Sequence, residues 1–251
     1  MAGHSKWAQI KRKKAKADAE RGKTFSRLSR EIIMAVRHGG GDPEANPRLK
    51  AAIQRAREAN IPFDNIQRAV QKGMGEIGGG KYAEVVYEGY GPGGVAFLVK
   101  ATTNNRNRTA SELRHVFAKH GGSLGEAGCV GWIFQQKGLL LVGRSTSYSE
   151  DDLLMFAVES GAEDFRPVED GFEIITAPED LARLKGGLEV RGFRVEEAEL
   201  TFIPQNLVPV TGEDGLRVLR LVQKLEELED VEAVYANFDI PPELMEEATI
   251  G

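Results

Sequence analysis

Apolar positions in the first third of the chain recur at helical spacing. Phe25, Leu28, Ile32 and Val36 stand 3, 4 and 4 residues apart, with Ile33 beside them. This predicts a helix with Thr24 as its cap and Gly39-Gly40-Gly41 as its end. Leu49, Ala52, Ile53 and Ala56 predict a second helix, stopped by Asn60-Ile61-Pro62. Ile66, Ala69 and Val70 predict a third, capped by Asp64. Residues 8–20 favour helix by propensity, but their apolar face (Trp7, Ile10, Ala17) is thin and Gly22 interrupts them. Such a segment is expected to be helical only when bound. Gly73, Gly75 and Gly78-Gly79-Gly80 then predict a flexible hinge.

Beyond the hinge the period shortens. Residues 82–88 alternate and residues 94–102 form a more apolar run, so both predict strands. Between them Gly89-Tyr90-Gly91-Pro92-Gly93-Gly94 spells GxGxxG. A dinucleotide fingerprint must open a helix, whereas here a strand follows, so the glycines predict a hairpin turn. Thr102-Thr103-Asn104-Asn105-Arg106-Asn107-Arg108 is then a polar loop. Thr109 to Glu112 has capping-box spacing and opens a helix with Leu113, Val116 and Phe117 on one face, ended by Gly121-Gly122.

Short strands at 132–135 and 139–142, with a turn at Lys137-Gly138, come next. A helix from Ser149, strands at 163–168 and 172–175, a helix opened by Pro178 and a strand at 194–202 follow. From residue 139 this order is β-α-β-β-α-β, the split unit of ferredoxin-like folds. Residues 204–209 are extended, a helix starts near Asp214, and residues 231–237 predict a strand. The pieces on either side of 130–203 lack partners of their own and complete each other if 130–203 is an insertion. The expected fold is therefore α+β. A basic three-helix domain (1–80) precedes a discontinuous α/β domain (81–129 and 204–251), into which a ferredoxin-like α/β domain (130–203) is inserted.

Charge sharpens this division. Residues 1–37 hold eleven Lys and Arg against three acids, a net of +8 in a chain of net −5. Residues 1–81 carry +10 and residues 82–251 carry −15. An excess of this size calls for a polyanion, an acidic protein or an acidic membrane. The rest of the 251-residue chain has the composition of an ordinary globular protein, 41% hydrophobic and 28% charged. Its single cysteine, Cys129, excludes an intramolecular disulfide and a cysteine-based zinc cluster. No apolar run reaches membrane-spanning length, and the basic start has no apolar stretch behind it, so neither a membrane segment nor a secretory signal is expected.

No catalytic, cofactor or metal site is expected from the residues. His115 and His120 are spaced by five, not the four of a helical zinc pair. Cys129 has no activating neighbour in sequence and reads as a small buried residue, and His120 reads as a helix end where a cation suits the dipole. The acids Glu226, Glu227 and Glu229 read as a solvated face. There is no Walker loop and no nucleophile elbow. What remains is binding. Lys6, Lys11, Arg12, Lys13, Lys14, Lys16, Arg21, Lys23, Arg27 and Arg30 offer cations for phosphates, and Trp7 stands among them as a stacking candidate. Arg106 and Arg108, just before a helix start, read either as a second phosphate contact or as part of a solvated turn. No recognition helix is evident, which favours a structured RNA over duplex DNA.

Several stretches together resemble the YebC/PmpR family, whose mitochondrial relatives are translational activators of a cytochrome oxidase subunit. They are Met1-Ala2-Gly3-His4-Ser5-Lys6-Trp7, Arg21-Gly22-Lys23 before Phe25, and Asn60-Ile61-Pro62 before Asn65-Ile66. Tyr87-Glu88-Gly89-Tyr90-Gly91-Pro92-Gly93-Gly94, the 102–108 stretch and Pro204-Gln205-Asn206 complete the resemblance, which spans essentially the whole chain. It implies a three-domain cytoplasmic protein, non-enzymatic and without cofactors. Bacterial members are labelled transcriptional regulators that bind DNA. Other members look like ribosome-associated translation factors that contact ribosomal RNA or tRNA and help synthesis through proline-rich stretches. The partners implied are nucleic acid and the transcription machinery or the ribosome, with no membrane. The composition also admits a protein-interaction module whose basic arm docks an acidic surface.

Overall fold

The computed structural model describes residues 21–75, 82–168 and 171–250. The expected bound-state helix at 8–20, the glycines at 78–80 and the turn at Asp170 lie outside the described residues. The chain divides into two compact units, one of residues up to 131 together with those from 206 onward, the other of residues 132–205.

The first unit begins with three helices, α1 (Arg21–Gly39), α2 (Pro47–Glu58) and α3 (Phe63–Met74). The apolar stripes read from the sequence meet in one core that includes Leu28, Ile32, Val36, Leu49, Ala52, Ala56, Ile66 and Ala69. Two boundaries differ from expectation. Gly22 and Thr24 lie inside α1, so Thr24 does not cap it. Burial of the Leu28–Val36 stripe outweighs the roughly 1 kcal/mol that an interior glycine costs. α3 starts one residue before Asp64, behind Pro62, with no side-chain cap. Asp64 instead places its charge in the first turn, where it complements the helix dipole. Gly73 is the point where α3 meets α1, because a Cβ there would stand 2.6 Å from that of Val36.

The same unit continues with β1 (Ala83–Tyr90) and β2 (Ala96–Thr103), an antiparallel hairpin closed at Tyr90 opposite Ala96. The glycine-rich turn between them needs left-handed backbone at Gly93 (φ 68°) and Gly94 (φ 76°), which explains its composition. After β2 come α4 (Arg106–Lys119) and β3 (Ser123–Leu124). Past the second unit the chain resumes with β8 (Val208–Pro209), α7 (Gly212–Glu226), β9 (Val231–Ala236), β10 (Phe238–Asp239) and α8 (Pro242–Ile250). The main sheet has the order β3-β1-β2-β9, and β8 pairs with β10. So β9, from the far side of the insertion, lies beside β2 with Leu98 opposite Tyr235. α4 and α7 cover this sheet through Leu113, Phe117, Val218, Leu221, Val222 and Leu225. The helix α8 was not anticipated; its short segment offers little periodicity, and Met245 anchors it in the core.

The second unit contains β4 (Phe134–Gly143), α5 (Glu150–Glu159), β5 (Asp164–Val168), β6 (Gly171–Thr176), α6 (Leu181–Val190) and β7 (Val195–Pro204). Its antiparallel sheet runs β5-β6-β4-β7, the ferredoxin-like order. One expectation is corrected. Lys137-Gly138 is not a turn but the middle of one long strand, with Gly138 paired to both Thr176 and Leu200. A Cβ there would approach Thr176 and Leu181 within 2.8 and 3.0 Å, so this glycine serves packing rather than reversal. Of the strand expected at 132–135, residues 132 and 133 belong to a 3-10 turn, Gly131–Ile133, and only 134 and 135 are extended. No helix among the described residues is long and apolar enough to cross a membrane.

Candidate nucleic-acid interface

The densest candidates, Lys6, Trp7, Lys11, Arg12, Lys13, Lys14 and Lys16, lie outside the described residues. Arg21 and Lys23 belong to the first turn of α1, where Arg27 is exposed. Arg30, one turn further, is buried. Its guanidinium donates to the backbone carbonyl and to Oε1 of Glu229, and it stands 4.0 Å from Oδ1 of Asp230.

Arg108 reaches the same acidic pair. The sequence expected it in a loop before a capping box at Thr109, but α4 already begins at Arg106. Asn105 is the cap, and its side chain accepts the Arg108 backbone N–H at 3.1 Å. Asn competes well for such positions because its short side chain folds back onto the backbone two or three residues on. Arg108 Nη2 donates to Asp230 Oδ2 at 2.7 Å. The hydroxyls of Thr109 and Thr103 donate to the same oxygen at 2.7 and 3.0 Å. The anion beside this helix N-terminus is therefore the protein's own Asp230. Burial alone would raise the Asp230 pKa, yet the donors from Arg108, Thr109 and Thr103 outweigh it and hold the carboxyl below its usual range. Arg106 remains exposed, and its backbone carbonyl accepts from the Tyr87 hydroxyl.

So the structure brings Arg30 and Arg108 together around Glu229 and Asp230 and leaves Arg27 and Arg106 facing solvent. Glu229 is accordingly more than a solvated acid. Elsewhere in the helical region Arg48 pairs with Glu84, Lys50 with Glu44 and Arg55 with Glu31.

One feature of the helical region escaped the sequence reading. α2 and α3 are joined by four residues, with Asn60 in the left-handed region (φ 57°) and Ile61 buried. This is the chain order and turn length of a helix-turn-helix. The buried side of α3 carries Ile66 and Ala69, and its solvent side carries Gln67, Arg68, Gln71 and Lys72. The signal was present as the short gap before Pro62 followed by amide and cationic residues opposite an apolar stripe.

Among the described residues Cys129, Glu88 and His120 have surroundings that suit structure rather than chemistry. Among the described residues no group of His, Cys, Asp and Glu could hold a metal ion. Cys129 is half-buried, and burial together with the nearby Glu88 carboxylate pushes its thiol pKa up, away from a nucleophilic thiolate. Glu88 itself accepts the backbone N–H groups of Gly128, Val130 and Gly131 at 2.7–2.8 Å, which fixes this loop. His120 does not act as a cationic helix end. Burial, and then Lys119, Lys224 and Arg220, lower its pKa.

Two family descriptions match the chain, "TACO1/YebC protein N-terminal domain" over residues 5–76 and "TACO1/YebC second and third domain" over residues 82–238. A relative from Pelotomaculum thermopropionicum is 58% identical over 96% of this chain and 99% of its own length. One from Thermotoga maritima is 51% identical over 98% and 97%. Both bear the name "Probable transcriptional regulatory protein". The crystal structure of a conserved hypothetical protein, Aq1575 from Aquifex aeolicus, is similar with a TM-score of 0.80 and 52% identity. That match covers 89% of this chain and 92% of the other.

Proposed function

Since the chain belongs to the TACO1/YebC family, a family of regulators rather than enzymes, we propose that it binds DNA as a transcriptional regulator, with the basic helical region as its main contact. The observation that carries this reading is the solvent face of α3 behind its four-residue turn. Gln67 and Gln71 have the side-chain type that pairs bidentately with adenine, and Arg68 the type that pairs with guanine, in a major groove. Lys72 and Arg27 suit phosphates, as do the cations of the preceding arm, Lys6 to Lys16. The names borne by the relatives agree with this assignment.

A second reading, a ribosome-associated factor that contacts ribosomal RNA or tRNA, is favoured by Arg106. This exposed cation lies outside the helical region, on the α/β part of the unit, and extends the basic contact beyond one recognition helix.

Fluorescence anisotropy of the full chain with mixed-sequence duplex DNA and with structured RNA, over a range of salt, tests both. If about six side chains reach phosphates, the log–log slope with salt is roughly −5 on duplex DNA. Replacing Lys11, Arg12, Lys13 and Lys14 by Ala flattens it. Arg68→Ala with Gln71→Ala costs about 1–3 kcal/mol of discrimination between sequences. Crosslinking in cells then separates the readings. Promoter DNA supports the first, ribosomal RNA or tRNA lost in the arm variant supports the second, and an arm variant with unchanged affinity removes the basic-arm contact from both.

A further inference from the structure

The central run of helix α5 in the inserted unit is apolar on both sides. This run, Leu153-Leu154-Met155-Phe156-Ala157-Val158, turns Leu153, Phe156 and Ala157 into the core. The remaining three face outward, with Leu154 37%, Met155 63% and Val158 62% exposed. Helices at a protein surface ordinarily carry polar residues on that face, and a cluster of large apolar side chains exposed there is expected to be covered. Beside it lies a cavity of about 360 Å³, lined by Tyr148, Met155, Phe156, Phe193, Asp152 and Arg191 among others. The Arg191 guanidinium sits over the Phe156 ring at 4.5 Å, and its neighbour Val190 is 89% exposed.

The charge around this face identifies what would cover it. α5 has four acids, Glu150, Asp151, Asp152 and Glu159, and no Lys or Arg. In helical register Asp151 falls within this outward face, one turn before Leu154 and Met155, and Glu159 lies one turn beyond Met155. Residues 132–205 as a whole hold fifteen acids against seven Lys and Arg, a net of −8. Nucleic acid and anionic lipid are repelled by such a field, and a second copy of the same face would set acid against acid. We propose that the α5 face is a docking site for a basic amphipathic protein segment, one that lays an apolar stripe on Leu154, Met155 and Val158 while its Lys and Arg meet Asp151 and Glu159. Met155, which lines the cavity, has a flexible thioether side chain that suits a site that adapts to its occupant. Arg191 is held over Phe156 and marks the edge at which the partner's charge must change.

The test uses the full chain and a synthetic, fluorescein-labelled basic amphipathic helix of Leu and Lys. Two controls accompany it, a scrambled peptide of the same composition with no apolar face and an acidic peptide with the same apolar pattern. The expected result is micromolar binding of the first, at least tenfold weaker binding of both controls, and at least a tenfold loss in Met155→Asp with Val158→Asp. Glu159→Lys should also weaken binding. It places a cation at a helix C-terminus, where the dipole favours it, so folding is kept even if the double variant misfolds. Equal binding of the scrambled peptide would reduce the effect to net charge and overturn the proposal. So would failure to bind at tens of micromolar. Sedimentation that finds a self-associated wild type and a monomeric double variant would assign the face to a second copy of the chain instead.

Discussion

Asp230 is only 3% exposed, yet its carboxyl is held charged by three side-chain donors and lies within ion-pair reach of a second arginine. It ties the start of α4 to the end of β2, and through Glu229 and Arg30 to α1. Asp230→Asn keeps the shape but turns an amide N–H₂ or a weaker acceptor toward those donors. It should cost about 2 kcal/mol at pH 7, since hydrogen bonds to a charged group contribute ~1.5–3 kcal/mol. Because the folded pKa of Asp230 is depressed, its contribution is present above the unfolded value of about 3.9 and is lost as pH falls through the folded one. Urea unfolding of wild type and variant at pH 7 and near pH 3 should thus show a gap that narrows with acid; a constant gap would mean that packing, not charge, is what the variant removes. None of this was legible in the sequence. Arg30 and Glu229 are 199 positions apart, and Arg108 and Asp230 are 122 apart. Residue type and local spacing marked both arginines as cations for a phosphate, whereas the carboxylates that hold them come from a loop more than a hundred residues away.

At the scale of elements, periodicity located most helices and strands but not their ends. α4 is an example, because the sequence offered two caps, Asn105 and Thr109. The chain uses Asn105, which leaves the Thr109 hydroxyl to donate to Asp230. Asn46 is a second case. It is buried, its Oδ1 accepts the Leu49 backbone N–H at 3.1 Å, and its amide donates to the carbonyls of Ala35 and Gly40 at 2.9 and 2.8 Å. One side chain therefore starts α2 and satisfies the open end of α1, where the last carbonyls lack intrahelical partners. Asn46→Ala should destabilise the helical region by about 2 kcal/mol, the upper range for a lost cap, since carbonyls are also left unpaired. Far-UV circular dichroism melts would register this as a lower midpoint for the helical transition. A shift within about 0.5 kcal/mol of wild type would show that water replaces the amide at both carbonyls.

For the whole molecule, the insertion was legible because the strands before and after it could not complete a sheet alone, and β9 does lie beside β2. The two α/β cores share no residues. One draws on segments between Tyr87 and Leu124 and from Val208 onward, the other on residues from Leu140 to Ala198. The candidate interface was less legible. Charge density singled out the arm, whereas the α3 face shows in the sequence only as amide and cationic residues opposite the Ile66–Ala69 stripe behind a short gap, a weaker signal than a run of lysines. Charge also gives the insertion a second consequence. Replacing residues 132–205 with a flexible Gly/Ser linker removes a net −8 and takes the chain from −5 to +3. With its own core intact, the remaining unit should still unfold cooperatively. Its affinity for non-specific duplex DNA at low ionic strength should rise roughly tenfold, because the field of the whole chain no longer opposes the approach of a polyanion. The gain should shrink as salt is raised, since at 1 M the Debye length is only about 3 Å. Titrating both proteins with the same duplex across that range checks this. Equal affinities at low salt would show that the acidic unit does not restrain the basic one, and the contrast of charge along the chain would then have to be explained by the separate partners that each part binds.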